Sequence, residues 1–191
     1  MTRATPLAPD ERRAALVAAT RPLLLEHGLN ITTKQVAEAA GVAEGTIFRA
    51  FETKDRLFCA VLQDALDPAP AVARILAVSE RDLTETVTRL LELLLADIGE
   101  IKALFMALGS AHPKQHQPVH DAHTDRDAAI GAALVAVLGR FGDQLRVPPE
   151  AAAWTIKSFA FTIAHPFVNP AITEPSALAS LILHGICETP C

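Results

Sequence analysis

The sequence contains no tyrosine, one tryptophan and only three cysteines among its 191 residues. The cysteines (Cys59, Cys187 and Cys191) are odd in number and form no C-x-x-C pair. This pattern excludes a disulfide framework and a zinc knuckle, and it fits a reducing compartment. We therefore expect a cytoplasmic protein.

Long uncharged stretches are also missing. The longest, residues 158–173, has 16 residues and contains two prolines, whereas a membrane helix needs about 20 apolar residues. The first residues, MTRATPLAPDERR, lack the apolar segment of a secretion signal. We therefore expect neither membrane insertion nor secretion.

Catalytic motifs are absent as well. The sequence has no Ser-His-Asp order, no Gly-rich phosphate loop and no H-E-x-x-H, so we expect no enzyme and no cofactor. Four histidines lie close together, and some pairs have metal-ligand spacing if the segment is helical, but Pro113 and Pro118 interrupt it. We predict no metal site and leave open a metal role for His112, His116, His120 and His123.

Positive charge is scarce for a nucleic-acid binder, since the net charge is −5. Residues 1–66 hold eight basic and eight acidic residues, so the deficit falls entirely on residues 67–191. A basic surface in the first part would have to arise locally. The candidates are Arg3, Arg12, Arg13, Lys34, Arg49 and Lys54.

The most informative stretch runs from Thr32 to Phe58 and predicts two short helices joined by a tight turn. Thr32 and Gln35 have the spacing of a capping box at a helix start. Gly41 is the residue expected just after a helix end. Two short helices joined by a Gly-containing turn are typical of a DNA-binding helix-turn-helix.

The second of these helices is predicted over residues 44–51. Glu44, Gly45, Thr46 and Arg49 would face outward, while Ile47, Ala50 and Phe51 would face the core. A helix with glycine and threonine on its outer face can bring its backbone close to a major groove.

The run A-x-x-A-G-V-x-x-G-T-I-F-R-x-F-x-x-K-x-x-L, from Ala37 to Leu57, resembles the DNA-binding domain of the TetR family of transcriptional regulators. The resemblance covers about the first third of the chain. Three positions depart from the family pattern: Ala43 replaces a capping serine, Phe48 a tyrosine that bonds phosphate, and Ala50 a common histidine or tyrosine. We therefore expect fewer phosphate contacts than usual.

The helix-turn-helix pattern and the resemblance together predict the DNA-binding residues. Lys34, Thr46 and Arg49 would reach base edges or phosphates, and arginine bound to guanine is the commonest specific contact. Glu44 would stand beside the phosphates as a repulsive charge or serve only as a helix-terminal charge, and Gly45 would allow close approach. Along the DNA backbone would lie Thr32, Thr33, Phe48 and Lys54.

Beyond residue 66 the pattern is helical throughout. The segment DPAP, from Asp67 to Pro70, breaks any helix and predicts a domain boundary. We expect an all-α fold with a helix-turn-helix domain over residues 1–66 and a helical ligand-binding and dimerisation domain over 67–191. The second domain is predicted to contain helices over residues 70–78, 84–99, 100–111, 119–141, 149–167 and 175–187.

The TetR resemblance implies an effector pocket and a dimer in this second domain. We expect Phe105, Trp154 and Phe159 to line the pocket. The last two helices would pair with a second copy, with Leu178, Leu181, Ile182 and Gly185 at the interface. An apolar stripe of this kind would equally suit a helix buried within one chain.

The sequence therefore predicts a repressor that binds a palindromic double-stranded DNA operator as a homodimer. A small apolar or aromatic effector would release it. The alternative is a helical small-molecule or metal-sensing module without DNA binding, which the neutral charge of residues 1–66 favours.

Overall fold

The computed structural model describes residues 8–109, 117–164 and 173–186, and these residues form an all-α protein, as predicted. Short 3-10 turns follow α1 and α7. None of the helices in the described ranges has the length and hydropathy needed to cross a membrane. The helices are α1 (Pro9–His27), α2 (Thr33–Ala39), α3 (Gly45–Phe51), α4 (Lys54–Ala65), α5 (Ala69–Leu76), α6 (Leu83–Leu108), α7 (Gln117–Leu138), α8 (Pro149–Ala164) and α9 (Pro175–Ile186).

The chain divides into two compact units: Met1–Leu66 with Ile101–Ala122, and Asp67–Glu100 with His123–Cys191. The first unit includes residues 101–122, which the sequence-based division assigned to the second domain. The reason is hydrophobic burial: Leu104, Leu108 and Val119 join the core formed by the first four helices.

The helix starts of the first unit follow from local sequence. The hydroxyl of Thr32 accepts a hydrogen bond from the Gln35 amide at 3.2 Å, and the Gln35 side chain accepts one from the Thr32 amide at 2.8 Å. The predicted capping box is confirmed. Thr53 begins α4 in a similar way, accepting from the Arg56 amide at 3.2 Å.

The second unit is built around residues 83–100 of α6, and one prediction for this helix is wrong. Separate helices over 84–99 and 100–111 were expected, but a single 26-residue helix runs from Leu83 to Leu108. Gly99 lies inside it, in open space, and an interior glycine costs only about 1 kcal/mol relative to alanine. Burial of Leu90, Leu91 and Leu94 in the core of the second unit outweighs that cost.

Two glycines in the first unit allow a matched test of backbone strain. Gly28 has φ +57° and ψ −142°, and a Cβ there would lie 3.1 Å from the Ala107 carbonyl oxygen. Gly41 has φ +66° with no atom within 4 Å of such a Cβ. We expect Gly28→Ala to lower the free energy of unfolding by about 1–3 kcal/mol, and Gly41→Ala by about 1 kcal/mol. Urea denaturation would measure both, and equal losses would contradict the role assigned to the Ala107 contact.

Candidate nucleic-acid interface

One face of α3 is open to solvent. Ile47 and Phe51 are buried in the first core, whereas Gly45, Phe48 and Arg49 are exposed and lie on one face at helical spacing. Thr46 and Ala50 are only partly exposed, so Phe48 contributes more to the outer face than the sequence suggested. The exposed face therefore combines a glycine, an aromatic ring and a guanidinium group.

Side chains from neighbouring helices hold both ends of α3. At its start the Thr33 hydroxyl donates to the Glu44 carboxylate, and Glu44 makes no side-chain cap. At its end Arg13 of α1 donates to the Ala50 carbonyl, with its guanidinium 4.3 Å from the centre of the Phe51 ring. The hydrogen bonds of Glu44 and Arg13 therefore help to orient α3. The positive charge of Arg13 at the helix C-terminus also interacts favourably with the helix dipole.

Lys54 is also engaged within the protein. Its ammonium group donates to the Leu29 carbonyl at 2.9 Å and lies 5.3 Å from the centre of the Phe58 ring. An ammonium group has three donors, so contact with a phosphate remains compatible with this position.

Lys34 and Arg49 differ from the other predicted DNA-binding residues. Both are exposed, and neither side chain forms a hydrogen bond or ion pair within the described part of the chain. Thr32, in contrast, is engaged in the α2 capping box. Among the predicted DNA-binding residues, Lys34 and Arg49 therefore carry positive charges that no other side chain of the described residues engages.

The predicted pocket residues belong to different units. Phe105 packs against the core of the first unit, while Trp154 on α8 is 67% exposed and Phe159 is also exposed. A small pocket, with room for about one water molecule, lies elsewhere, within the second unit. Sequence reasoning missed its lining residues, which are Ala71, Arg74, Ile75, Leu93, Leu94, Asp97 and Ile130.

The predicted dimer residues of α9 lie on different faces. Leu178 is 2% exposed, and it packs with Ile182 into the core of its own unit, whereas Leu181 is 52% exposed. Gly185 lies in the last turn of the helix. The apolar stripe chosen from the sequence thus faces mainly inward, because the core takes the more continuous row of leucines and isoleucines.

The histidine cluster falls partly outside the described residues, which include His120 and His123 but not His112 or His116. In the described ranges no group of three or more His, Cys, Asp or Glu side chains is arranged to hold a metal ion.

Burial raises the pKa of the Cys59 thiol, and Asp55 raises it further. That thiol is therefore protonated at neutral pH and a poor nucleophile.

Comparison with known proteins agrees with the helix-turn-helix geometry of α2 and α3 described above. Residues 16–61 match the family of bacterial regulatory proteins of the tetR type. The HTH-type transcriptional repressor KstR2 of Mycolicibacterium smegmatis is 33% identical over 64 residues. That alignment covers 33% of this chain and 31% of KstR2, so the chain matches only about a third of that relative.

Solved structures share the fold over nearly the whole chain. A TetR transcription regulator from Haloarcula marismortui aligns with a TM-score of 0.68 and 22% identity, covering 94% of this chain and 100% of that one. NalD of Pseudomonas aeruginosa, the secondary repressor of the MexAB-OprM multidrug efflux pump, gives 0.56 and 18%, covering 95% and 99%. The solved structures confirm the all-α fold, and the family match over residues 16–61 confirms the predicted resemblance to the TetR family.

Proposed function

From the TetR-type N-terminal domain that this chain carries, we infer that the protein is a DNA-binding transcriptional repressor. The observation that supports this most directly is the open face of α3, where Gly45, Phe48 and Arg49 are exposed; Lys34 of the preceding helix is exposed as well.

In this proposal α3 is the recognition helix and lies in the major groove. Gly45 allows its first turn to approach the DNA, and Arg49 donates two hydrogen bonds to a guanine. Phe48 lacks the hydroxyl that would bind phosphate, and its exposed ring instead suits contact with a thymine methyl group. Lys34 and Lys54 neutralise phosphates, while Thr32 and Thr33 lie along the DNA backbone.

Arg49→Ala and Lys34→Ala separate base reading from charge. We expect Arg49→Ala to lose about 1–3 kcal/mol of discrimination at one base position in each half-site. Lys34→Ala should weaken binding to all sequences alike and lower the slope of log K against log salt by about 0.9. Titration of labelled duplexes at several salt concentrations measures both. If Arg49→Ala weakened all sequences equally, its proposed base contact would be wrong.

The same proposal includes a two-fold dimer that positions two copies of α3 on a palindrome. The exposed faces of α8 and α9, with Trp154 and Leu181, supply apolar surface for pairing. A small effector bound in the second unit would favour a conformation in which the two recognition helices no longer match the groove spacing. Its effect is limited by its difference in affinity for the two conformations.

A further inference from the structure

Glu44 directly precedes the first residue of α3 and places a negative charge beside the open face of that helix. The residue is exposed, and its backbone is already helical, with φ −53° and ψ −39°. Its carboxylate makes no hydrogen bond to an amide of its own helix. The usual reason for an acidic residue at this position, which is to cap the first amides of the helix, therefore does not apply here.

The Glu44 carboxylate is held instead from the neighbouring helix. The Thr33 hydroxyl, at the start of α2, donates to one carboxylate oxygen of Glu44. Within the described residues the other oxygen accepts no hydrogen bond, and no basic side chain pairs with the carboxylate. The hydrogen bond from Thr33 thus orients the carboxylate but leaves its charge uncompensated.

Helical spacing places Glu44 among the residues of the open face. Residues four apart are neighbours on a helix surface, so Glu44 lies beside Phe48, and Gly45 lies beside Arg49. No atom lies within 4 Å of the position that a Cβ would take at Gly45. A duplex that contacts Phe48 and Arg49 therefore comes within reach of the Glu44 carboxylate.

A carboxylate in a major groove is restricted in what it can bind. It is repelled by the phosphates, and it only accepts hydrogen bonds. The donors on the base edges are the N4 amino group of cytosine and the N6 amino group of adenine. The adenine amino group lies between two acceptors, adenine N7 and thymine O4, whereas the cytosine amino group has the guanine O6 on one side only. Cytosine is therefore the base that repels a carboxylate least.

We propose that Glu44, oriented by Thr33, selects a cytosine in each half-site by accepting a hydrogen bond from its N4 amino group. This inference rests on the proposed function, because it requires α3 to lie in the major groove. At guanine and thymine the carboxylate faces only acceptors, which disfavours these bases. Thr33 is a positioning residue that acts through Glu44.

Titration of labelled duplexes with the full chain tests the proposal, using a duplex selected from a random library and its single-base variants. We expect replacement of the cytosine by guanine or thymine to weaken binding about 5–150-fold. Glu44→Ala should remove this difference and keep the preference for the guanine read by Arg49. Glu44→Gln should shift the preference towards adenine, because glutamine bonds to adenine N6 and N7.

N4-methylcytosine tests the hydrogen bond itself, since a methyl group replaces the amino hydrogen that faces the major groove. It should weaken binding of the original chain and have no effect on Glu44→Ala. Thr33→Val should reduce the preference for cytosine, and Thr33→Ser should keep it. In the Glu44→Ala background Thr33→Val should change no base preference, which a purely structural role of Thr33 does not predict.

Glu38→Ala is the matched control, because Glu38 on α2 is also exposed and its loss changes the net charge equally. It should leave every base preference unchanged. Both glutamates are exposed, so the thermal unfolding midpoints of the alanine variants should stay near that of the original chain. An unchanged preference for cytosine in Glu44→Ala, the same loss in Glu38→Ala, or equal binding of cytosine and N4-methylcytosine duplexes by the original chain would each overturn the proposal.

The same titrations separate this inference from the proposed function. A chain that selects guanine through Arg49 but no cytosine through Glu44 refutes the inference and leaves the proposed function intact. A chain that binds no duplex refutes both.

Discussion

Replacing Arg126 with methionine is expected to lower the free energy of unfolding by about 3–5 kcal/mol. Methionine fills much of the same volume but removes the buried ion pair of Arg126 with Asp97, and it leaves the Asp97 carboxylate with only the half-exposed Arg74 at 3.3 Å. A loss of this size is a large share of the total stability of a domain, which is about 5–15 kcal/mol. Urea denaturation followed by circular dichroism measures it.

Two further variants separate the buried charge from other causes. Arg89→Gln breaks a half-exposed pair with Glu92, and we expect a change below about 1 kcal/mol. Adding Asp97→Leu to Arg126→Met removes the uncompensated charge and should recover most of the lost stability. If the double variant is as unstable as Arg126→Met alone, packing around Arg126 rather than its charge supports the fold.

Leu181→Glu is expected to convert a dimer into a monomer and to weaken binding to a palindromic DNA site by about 10²–10⁴-fold. The glutamate would place an unpaired charge in the proposed contact between copies of α9, which is costly. The loss in DNA binding follows because each half-site would then be bound independently. Light scattering measures the mass, and titration of a labelled duplex measures the affinity.

Leu76→Glu provides a close control, because Leu76 on α5 is 53% exposed and Leu181 is 52% exposed. It makes the same chemical change outside the proposed interface, and both mass and affinity should be unchanged. Equal effects of the two substitutions, or a monomeric original chain, would contradict the assignment of this face to dimerisation.

The helix-turn-helix region was predictable because its signals are local. Thr32 and Gln35 act within one helical turn, and Gly41 takes the positive φ that its turn requires. The contacts of Arg13 with Ala50 and of Thr33 with Glu44 were not predictable, since they join different helices. Both depend on how the helices pack.

The second unit was harder to predict, because the sequence of a mostly apolar helix does not show clearly which of its sides is buried in the core. Leu178, Leu181 and Ile182 share one stripe in the sequence, yet two of them enter the core and one remains exposed. The buried pair of Asp97 and Arg126 is separated by 29 positions. An aspartate directly after the apolar run of residues 93–96 was the available signal, but nothing in the sequence identified its partner.

Selection of bound duplexes from a random DNA library with the full chain tests directly whether α3 reads DNA. If it does, we expect enrichment of an inverted repeat whose half-sites are centred about 10–10.5 base pairs apart, or a multiple of that spacing, with a guanine whose selection is lost in Arg49→Ala. Recovery of no preferred sequence, or of the same sequence by Arg49→Ala, would contradict the assignment of α3 as a DNA-reading helix.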